Sequence, residues 1–298
     1  MPMERTISGM VGKGSVNHNT RAFTAKNVDS DRSGANVHFC NEDIKQVYHK
    51  LFDEALERYN EKQKRKDRVI DDYYEKIRQG KQEKLFHEVI FQIGNKDDMN
   101  AKSEEGLLAK KILTEFMDEF QARNPNLYVF SAHLHMDEET PHLHIDFVPY
   151  ITGSKRGLDT RVSLKSALAA EGFTGGTRGA TEWNQWIAAE KRELAMVMER
   201  HGVKWLQKGT HEKHLSVLEF EKQARAKEVA ELDSQKQEKT TEVAKLNQAV
   251  STMKQELMTT TIKQVRAEEA VEKAREEGIA VQRDNETLSA SNRQLRVE

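Results

Sequence analysis

Residues 131–150 read SAHLHMDEETPHLHIDFVPY, and this short span holds four histidines and a cluster of acids. Leu143, His144, Ile145, Asp146 and Phe147 alternate apolar with polar, the period of a half-buried strand. Residues two apart on a strand share a face, so His142 and His144 project together while Leu143, Ile145 and Phe147 enter a core. The run 127–135 alternates as well, with Tyr128, Phe130, Ala132 and Leu134 expected on one side and Val129, Ser131, His133 and His135 on the other. Between the runs, 136–141 (MDEETP) is a polar connection with a proline, suited to a hairpin. Closing it brings His135 opposite His142 and His144 with Glu138 at the turn, so three imidazoles and a carboxylate face one point. A single His-X-His would read as a solvated hairpin. The full His135-X-X-Glu138…His142-X-His144 set reads as a metal site. Nitrogen-rich, with one oxygen and no cysteine nearby, it suits Zn, Mn, Co or Ni. His133 shares the face as a lesser candidate. Asp146 is expected either to orient an imidazole or to stand as a solvated acid.

The 298 residues allow one sizeable domain and an extension. Charged residues are 32% and hydrophobic ones 37%, so part of the chain is expected outside any compact core. With a net charge of −2, a nucleic-acid surface requires a local basic patch. The single cysteine, Cys40, excludes an intrachain disulfide and fits a reducing compartment. The N-terminal stretch lacks the apolar core of a signal peptide and no run could span a bilayer, which predicts an intracellular protein.

Upstream of the histidines, a strand is expected over 5–11, then Gly12-Lys13-Gly14-Ser15 and a loop or helix start with His18, Asn19, Arg21 and Phe23. On its residues alone His18 has no special role. Segment 29–36 (DSDRSGAN) reads as a polar loop in which Arg32, Ser33 and Asn36 are donors that could hold phosphates and base edges or simply meet solvent. Segment 41–79 is patterned as helix around the basic run 61–68, read as a solvated face or helix junction ahead of a DNA contact. Segment 85–93 is a buried-type strand whose His87 and Glu88 point to opposite faces and are assigned structural parts, with an approach of one of them to the metal as the lesser reading. Segment 104–122 is an amphipathic helix with Leu107, Leu108, Ile112, Phe116 and Phe120 inward. Past the hairpin come a basic, Gly-rich loop with Lys155 and Arg156, a short helix over 163–171 and a Gly-rich loop over 172–179. A helix over 181–201 follows, with Thr181 as N-cap, Gly202 past its end, and Trp183 and Trp186 as core anchors ahead of base-stacking platforms. His201, His211 and His214 read as surface groups.

Strands and helices without a parallel-sheet rhythm predict an α+β fold, an antiparallel sheet with flanking helices, over 1–210. From Leu215 a heptad begins, weak until Val243, shifting near Thr260 and resuming at Val281, Leu288 and Leu295 with Asn285 and Asn292 in its seam. It predicts a coiled-coil extension over 211–298, about 120 Å long as one helix.

In that order, His18-Asn19-Thr20-Arg21-Ala22-Phe23, then Arg32-Ser33 with Asn36, then His135 through His144 resemble the signature motifs of the MobV-family relaxases. These are plasmid mobilisation and recombination (Pre/Mob) enzymes of the histidine–hydrophobic–histidine (HUH) endonuclease superfamily. The resemblance covers about the first 210 residues, and its last motif is the most specific. It implies a relaxase domain that nicks and rejoins one DNA strand at a plasmid or mobile-element origin of transfer, initiating conjugative mobilisation. On that footing His135, Glu138, His142 and His144 hold a divalent metal, Mn2+ first and Mg2+, Zn2+, Co2+ or Ni2+ as alternatives. His18 and Glu138 are the catalytic residues, His18 forming a 5′-phosphoryl-histidine. Most relaxases use an N-terminal tyrosine, whereas this chain has none before Tyr48. A neutral imidazole is already nucleophilic, while a phenol must lose a proton of pKa about 10.

Asn19, Arg21, Arg32, Ser33, Asn36, Lys155 and Arg156 are expected at the DNA. The partners implied are single-stranded or supercoiled origin DNA, a second copy of the chain through the coiled coil, and conjugation coupling machinery, all in a bacterial cytoplasm. The competing readings are a nuclease or phosphodiesterase using metal-activated water, with Glu138 or Glu139 as base, and a non-catalytic DNA-binding coiled-coil scaffold. The insertion 41–79 carries no motif of the family.

Overall fold

The strand alternations around the histidines become the middle of a six-stranded sheet in the computed structural model, which describes residues 3–208 and 217–294. The chain divides into units Met1–Thr210 and His211–Glu298. In the first, Met3–Arg5 (β1) pairs in parallel with Val203–Trp205 (β8). The main sheet runs Ile7–Val11 (β2), His87–Ile93 (β4), His142–Ile151 (β6), Leu127–His135 (β5) and Val37–Asn41 (β3) in spatial order, antiparallel at every step. Arg161–Val162 (β7) adds to the far end of β6.

Helices begin where a side chain satisfies a free N–H of the first turn. Asp43 caps Ile44–Glu61 (α2), Asp72 caps Tyr73–Gln79 (α3) and Ser103 caps Glu104–Asp118 (α4). Ser163 caps Leu164–Ala170 (α6), and Thr181, as expected, caps Glu182–Arg200 (α7). Two short helices, Val16–Asn19 (α1) and Phe120–Arg123 (α5), have no side-chain cap. Gly202 follows α7 with φ 74°, the left-handed turn that suits glycine.

One sheet face is apolar throughout. Val89, Phe91, Ile93, Ala132, Leu134, Leu143, Ile145 and Phe147 pack there against Ile112, Phe116, Phe120, Trp186 and Leu194 of α4, α5 and α7. The opposite face changes character along β6, where His142, His144, Asp146 and Val148 follow one another. Its Val148 end is sealed by α2 and α3 through Tyr48, Phe52, Tyr73 and Phe130. The histidine end is met by the segment that carries α1. Sheet pairing thus fixes the polar half of this face as the site.

Three expectations need correction, and one choice left open is decided. The strand over 5–11 is two strands, β1 and β2, with different neighbours. The helical pattern over 41–79 divides into α2 and α3 at the helix junction offered for the basic run, and the link between them is tied by the Asn60 amide, which donates to Ile70 O (2.8 Å) and accepts from Ile70 N (3.0 Å). In α4, Leu107 is 60% exposed, because Gly106 instead takes the buried position, against Asn100 and Ala101 of the preceding turn. In β5 the register slips between Val129 and Ser131, so Val129 shares its face with Ala132 and Leu134, and Phe130 turns to α2 and α3. A bulge inserts one residue and reverses the alternation beyond it. Strand β3 had no counterpart in the sequence reading.

The second unit is described over Val217–Gln294 (α8), one helix of 78 residues that continues through Thr260. Val229, Leu232, Val243, Leu246, Val250, Met253 and Leu257 are between 49% and 68% exposed. His211, His214, Leu215 and Leu295 fall outside the described residues. No helix among those described is long and apolar enough to cross a membrane.

Candidate metal centre

Pairing of β5 with β6 puts His135 directly opposite His142 and His133 opposite His144. The rings of His135, His142 and His144 have centroids 4.6–5.2 Å apart. Each ring has one nitrogen held by an acceptor, which fixes its tautomer, since a carbonyl or carboxylate oxygen must receive the proton. His135 donates Nε2–H to Asn19 O (2.9 Å), His142 donates Nδ1–H to Thr140 O (2.8 Å), and His144 donates Nδ1–H to Glu88 Oε1 (2.6 Å). That leaves Nδ1 of His135 and Nε2 of His142 and His144 as bare lone pairs. Nδ1 of His135 and Nε2 of His144 are buried with no partner in the protein.

Glu138 Oε1 lies 3.9 Å from His135 Nδ1 and 3.8 Å from His142 Nε2. Two triads have donor atoms within 4.8 Å of one another, His135–Glu138–His142 and His18–His135–His144. Orphaned imidazole nitrogens beside a carboxylate are the donor set of a divalent cation, and these residues fit one. Burial, the largest influence, depresses the His135 ring to about 2 and the His144 ring to about 4, so both are neutral ligands at neutral pH.

His18 reaches the same spot from α1, its Nε2 3.5 Å from Glu138 Oε1 and its ring centroid 5.6 and 5.8 Å from those of His135 and His144. Burial holds its pKa below the ordinary value, Glu138 pulls it back up, and Arg21 pushes it further down. Arg21 Nη1 lies 3.4 Å from both ring nitrogens. Arg21 Nη2 donates to Glu138 Oε1 (2.9 Å), and Asn27 donates to Oε2 (2.6 Å).

Glu88, for which an approach to the metal was the lesser reading of the sequence, stands behind the centre. It accepts from His144, from Asn19 Nδ2 (2.8 Å) and from Gly14 N (2.7 Å). Burial works against its charge, but the bonds from His144, Gly14 and Asn19 outweigh it and hold its pKa below the usual carboxylate value. Asp146 does not orient an imidazole. It lies opposite Glu88 in the sheet, accepts from Asn19 Nδ2 (2.9 Å), and is raised to about 7 by burial and then by Glu88. The only hint of Glu88 in the sequence is its place on the polar face of an alternating strand, and its role emerges only when β4 is known to lie beside β6.

Several residues expected at the DNA have other work. Asn19 is fully buried, and its amide nitrogen serves Glu88 and Asp146. Ser33 and Asn36 both donate to Asp137 Oδ2, at 2.8 and 2.7 Å, and Arg32 Nη1 lies 3.5 Å from Glu138 O. Lys155 and Arg156 are exposed on the loop beyond the other end of β6, about 30 Å along the strand from the hairpin, so they are not brought to the centre. His133 turns aside, 2.7 Å from His38 between Nδ1 atoms and 3.1 Å from Ser131 Oγ. His87 lies on the opposite face beside Phe147 and Trp183, and His201 pairs with Glu115 Oε2 at 2.6 Å.

Among solved structures, the chain is similar to the MobM relaxase domain (MOBV; Mob_Pre) bound to plasmid pMV158 oriT DNA of 22 nucleotides, a Mn-bound crystal structure at pH 5.5. Identity is 20% over 73% of this chain and 98% of that one, with a TM-score of 0.44. The same domain with 23-nucleotide DNA, Mn-bound at pH 6.5, gives 23% identity over 75% and 98%, with a TM-score of 0.42. No curated protein matches the chain. The plasmid recombination enzyme family model (Mob_Pre) matches residues 40–171, which takes in Glu88, His135, Glu138, His142 and His144 but begins after His18, Arg21 and Asn36. The stretch of this chain that is similar to the plasmid recombination enzyme family is thus the one that carries the histidine hairpin and the carboxylate behind it.

Proposed function

We propose that the protein is a metal-dependent relaxase that nicks and rejoins one DNA strand at an origin of transfer, initiating conjugative mobilisation, with His18 as nucleophile. The observation that carries this reading is the approach of the His18 ring to the pocket of orphaned imidazole nitrogens, from a segment more than a hundred residues upstream. His135 through Nδ1, His142 and His144 through Nε2, and Glu138 through Oε1 would hold the cation. When bound, a divalent ion, Mn2+ by preference, supplies Lewis acidity at a phosphate oxygen. The His18 ring, held neutral by burial, offers a lone pair to phosphorus. A P–N bond forms, the P–O3′ bond breaks, and the leaving 3′ oxygen takes up a proton. The resulting 5′-phosphoryl-histidine retains bond energy, so the 3′-OH can attack in reverse and reseal the strand.

The tyrosine alternative is disfavoured by burial. Tyr48 and Tyr73 are 2% and 7% exposed, burial pushes both phenols up, and Tyr48 donates its hydroxyl to Leu85 O (2.7 Å). Metal-activated water is disfavoured with Glu138 as base, because both its oxygens already accept from Arg21 and Asn27. The test is incubation of the protein with a pool of single-stranded DNA and Mn2+, followed by mass spectrometry. A covalent nucleotide adduct is expected on wild type and not on His18→Ala, with Mn2+ binding retained. An adduct on the variant removes His18 from the role. Repeated turnover without any adduct favours activated water. We assign the uncovered apolar stripe of α8 to pairing with a second copy of the chain, and the protein to the cytoplasm, where coupling machinery would meet it.

A further inference from the structure

We propose that Asp137 is the positioning residue of this centre, and that the polar segment 30–36 serves to hold Asp137 instead of reading DNA. The inference deepens the nicking reaction proposed above and rests on it. Asp137 has a fully buried side chain in a hairpin turn that is otherwise polar. Its Oδ2 accepts from Arg21 Nε (2.9 Å), Ser33 Oγ (2.8 Å) and Asn36 Nδ2 (2.7 Å), and its Oδ1 accepts from Arg21 Nη2. Its backbone oxygen accepts from Asp29 N (2.8 Å). Asn36 works in both directions, since its Oδ1 accepts from Met136 N (2.7 Å). One carboxylate therefore joins the α1 segment, the 30–36 turn and the metal hairpin.

The consequence passes through Arg21. Its backbone φ is 61°, a left-handed conformation that L side chains rarely adopt, and its guanidinium is anchored to Asp137 through two nitrogens. With Nε and Nη2 engaged, Nη1 is left facing His18, 3.2 Å from its carbonyl oxygen and 3.4 Å from each ring nitrogen. Nη2 also holds Glu138 Oε1. Asp137 thus sets one guanidinium, and that guanidinium touches both the proposed nucleophile and a proposed metal ligand. If Ser33 and Asn36 left Asp137 for DNA, a buried carboxylate would lose its partners, a costly exchange.

The test uses full-length protein, Mn2+ and an oligonucleotide that wild type cleaves, with single-turnover cleavage, DNA affinity and Mn2+ affinity measured side by side. Asp137→Asn keeps the shape and removes the charge. Its cleavage rate is expected to fall about 30-fold or more while both dissociation constants stay within about 3-fold, the pattern of a lost orientation and not of lost binding. Ser33→Ala removes a single bond from the same oxygen and is expected to fall about 5-fold in the same pattern. It decides the matter if Asp137→Asn does not fold. The double variant Arg21→Lys/Asp137→Asn is expected to be no slower than the slower single variant, because the pair acts as one unit.

Wild-type cleavage rates in Asp137→Asn and Ser33→Ala overturn the proposal. So does a loss confined to DNA affinity, which returns 30–36 to the DNA, a loss of Mn2+ affinity that accounts for the slower rate, or additive losses in the double variant. Cleavage by wild type without a covalent adduct sinks the His18 reading and leaves this comparison standing. No cleavage by wild type sinks both.

Discussion

At the scale of single residues, the buried imidazoles of the two central strands, His133, His135 and His144, are held neutral by burial. Burial depresses His133 and His144 to about 4, while the same rings in an unfolded chain titrate near 6.5. Below that value the unfolded chain takes up protons that the folded one refuses. The stabilisation is therefore complete above pH about 6.5 and is lost as pH falls toward 4. For His144 alone the loss at pH 5 is on the order of 1–2 kcal/mol. Metal-free protein is expected to unfold at lower urea concentration at pH 5 than at pH 7.5, and Mn2+, which binds neutral imidazoles, is expected to widen the difference by stabilising the protein more at the higher pH. Equal midpoints at the two pH values would contradict the neutral, buried state of these rings. The residues that a reader of the sequence can find are those with a spacing. His135, Glu138, His142 and His144 stand out because strand period and hairpin closure are local facts. Glu88 and Asp137 do not, since their roles depend on which strands and turns meet, and neither β4–β6 pairing nor the 21–137 contact leaves a trace in local pattern.

At the scale of elements, β2 and the turn after it have to wrap a carboxylate. Gly12 N donates to Glu88 O at 3.0 Å, Gly14 N to Glu88 Oε2 at 2.7 Å, and a Cβ on Gly12 would lie 1.9 Å from that same oxygen. Gly12→Ala must therefore push Glu88 away from His144. The expected result is a destabilisation of about 1–3 kcal/mol in urea unfolding together with a loss of Mn2+ affinity of about 10-fold or more, measured by calorimetry. Unchanged affinity would mean that His144 needs no support from Glu88. The elements themselves were legible where their signals were local. The caps at Thr181 and the hairpin at 136–141 read correctly, and the α+β class followed from strand and helix order. The α2–α3 break falls at the basic run read as a solvated face or a helix junction, but the tie that bends the chain, one Asn60 side chain bonded to a backbone ten residues away, leaves no local signal. The bulge in β5 was missed for a similar reason: each half alternates correctly, and only pairing with β6 reveals the extra residue.

At the scale of the molecule, the two units differ in how they treat apolar residues. The first hides them between sheet and helices. The second exposes Leu246, Val250 and Leu257 along a single helix, and such a stripe is stable in water when a partner helix covers it. The intact protein is expected to show twice its monomer mass by light scattering at micromolar concentration, and the double variant Leu246→Asp/Leu257→Asp is expected to show the monomer mass. A monomer for the intact chain would leave the stripe to some other partner.

One further consequence lies in the order of synthesis. His18 leaves the ribosome long before the hairpin of β5 and β6, yet its ring finds its acidic neighbour only at residue 138, and the guanidinium beside it is braced at residue 137. A nascent chain displaying the proposed nucleophile has no pocket to work with until the hairpin has been made and folded back. Under the proposed reading, the ability to cut DNA therefore appears only after translation has passed β6 and the hairpin has met the early segment.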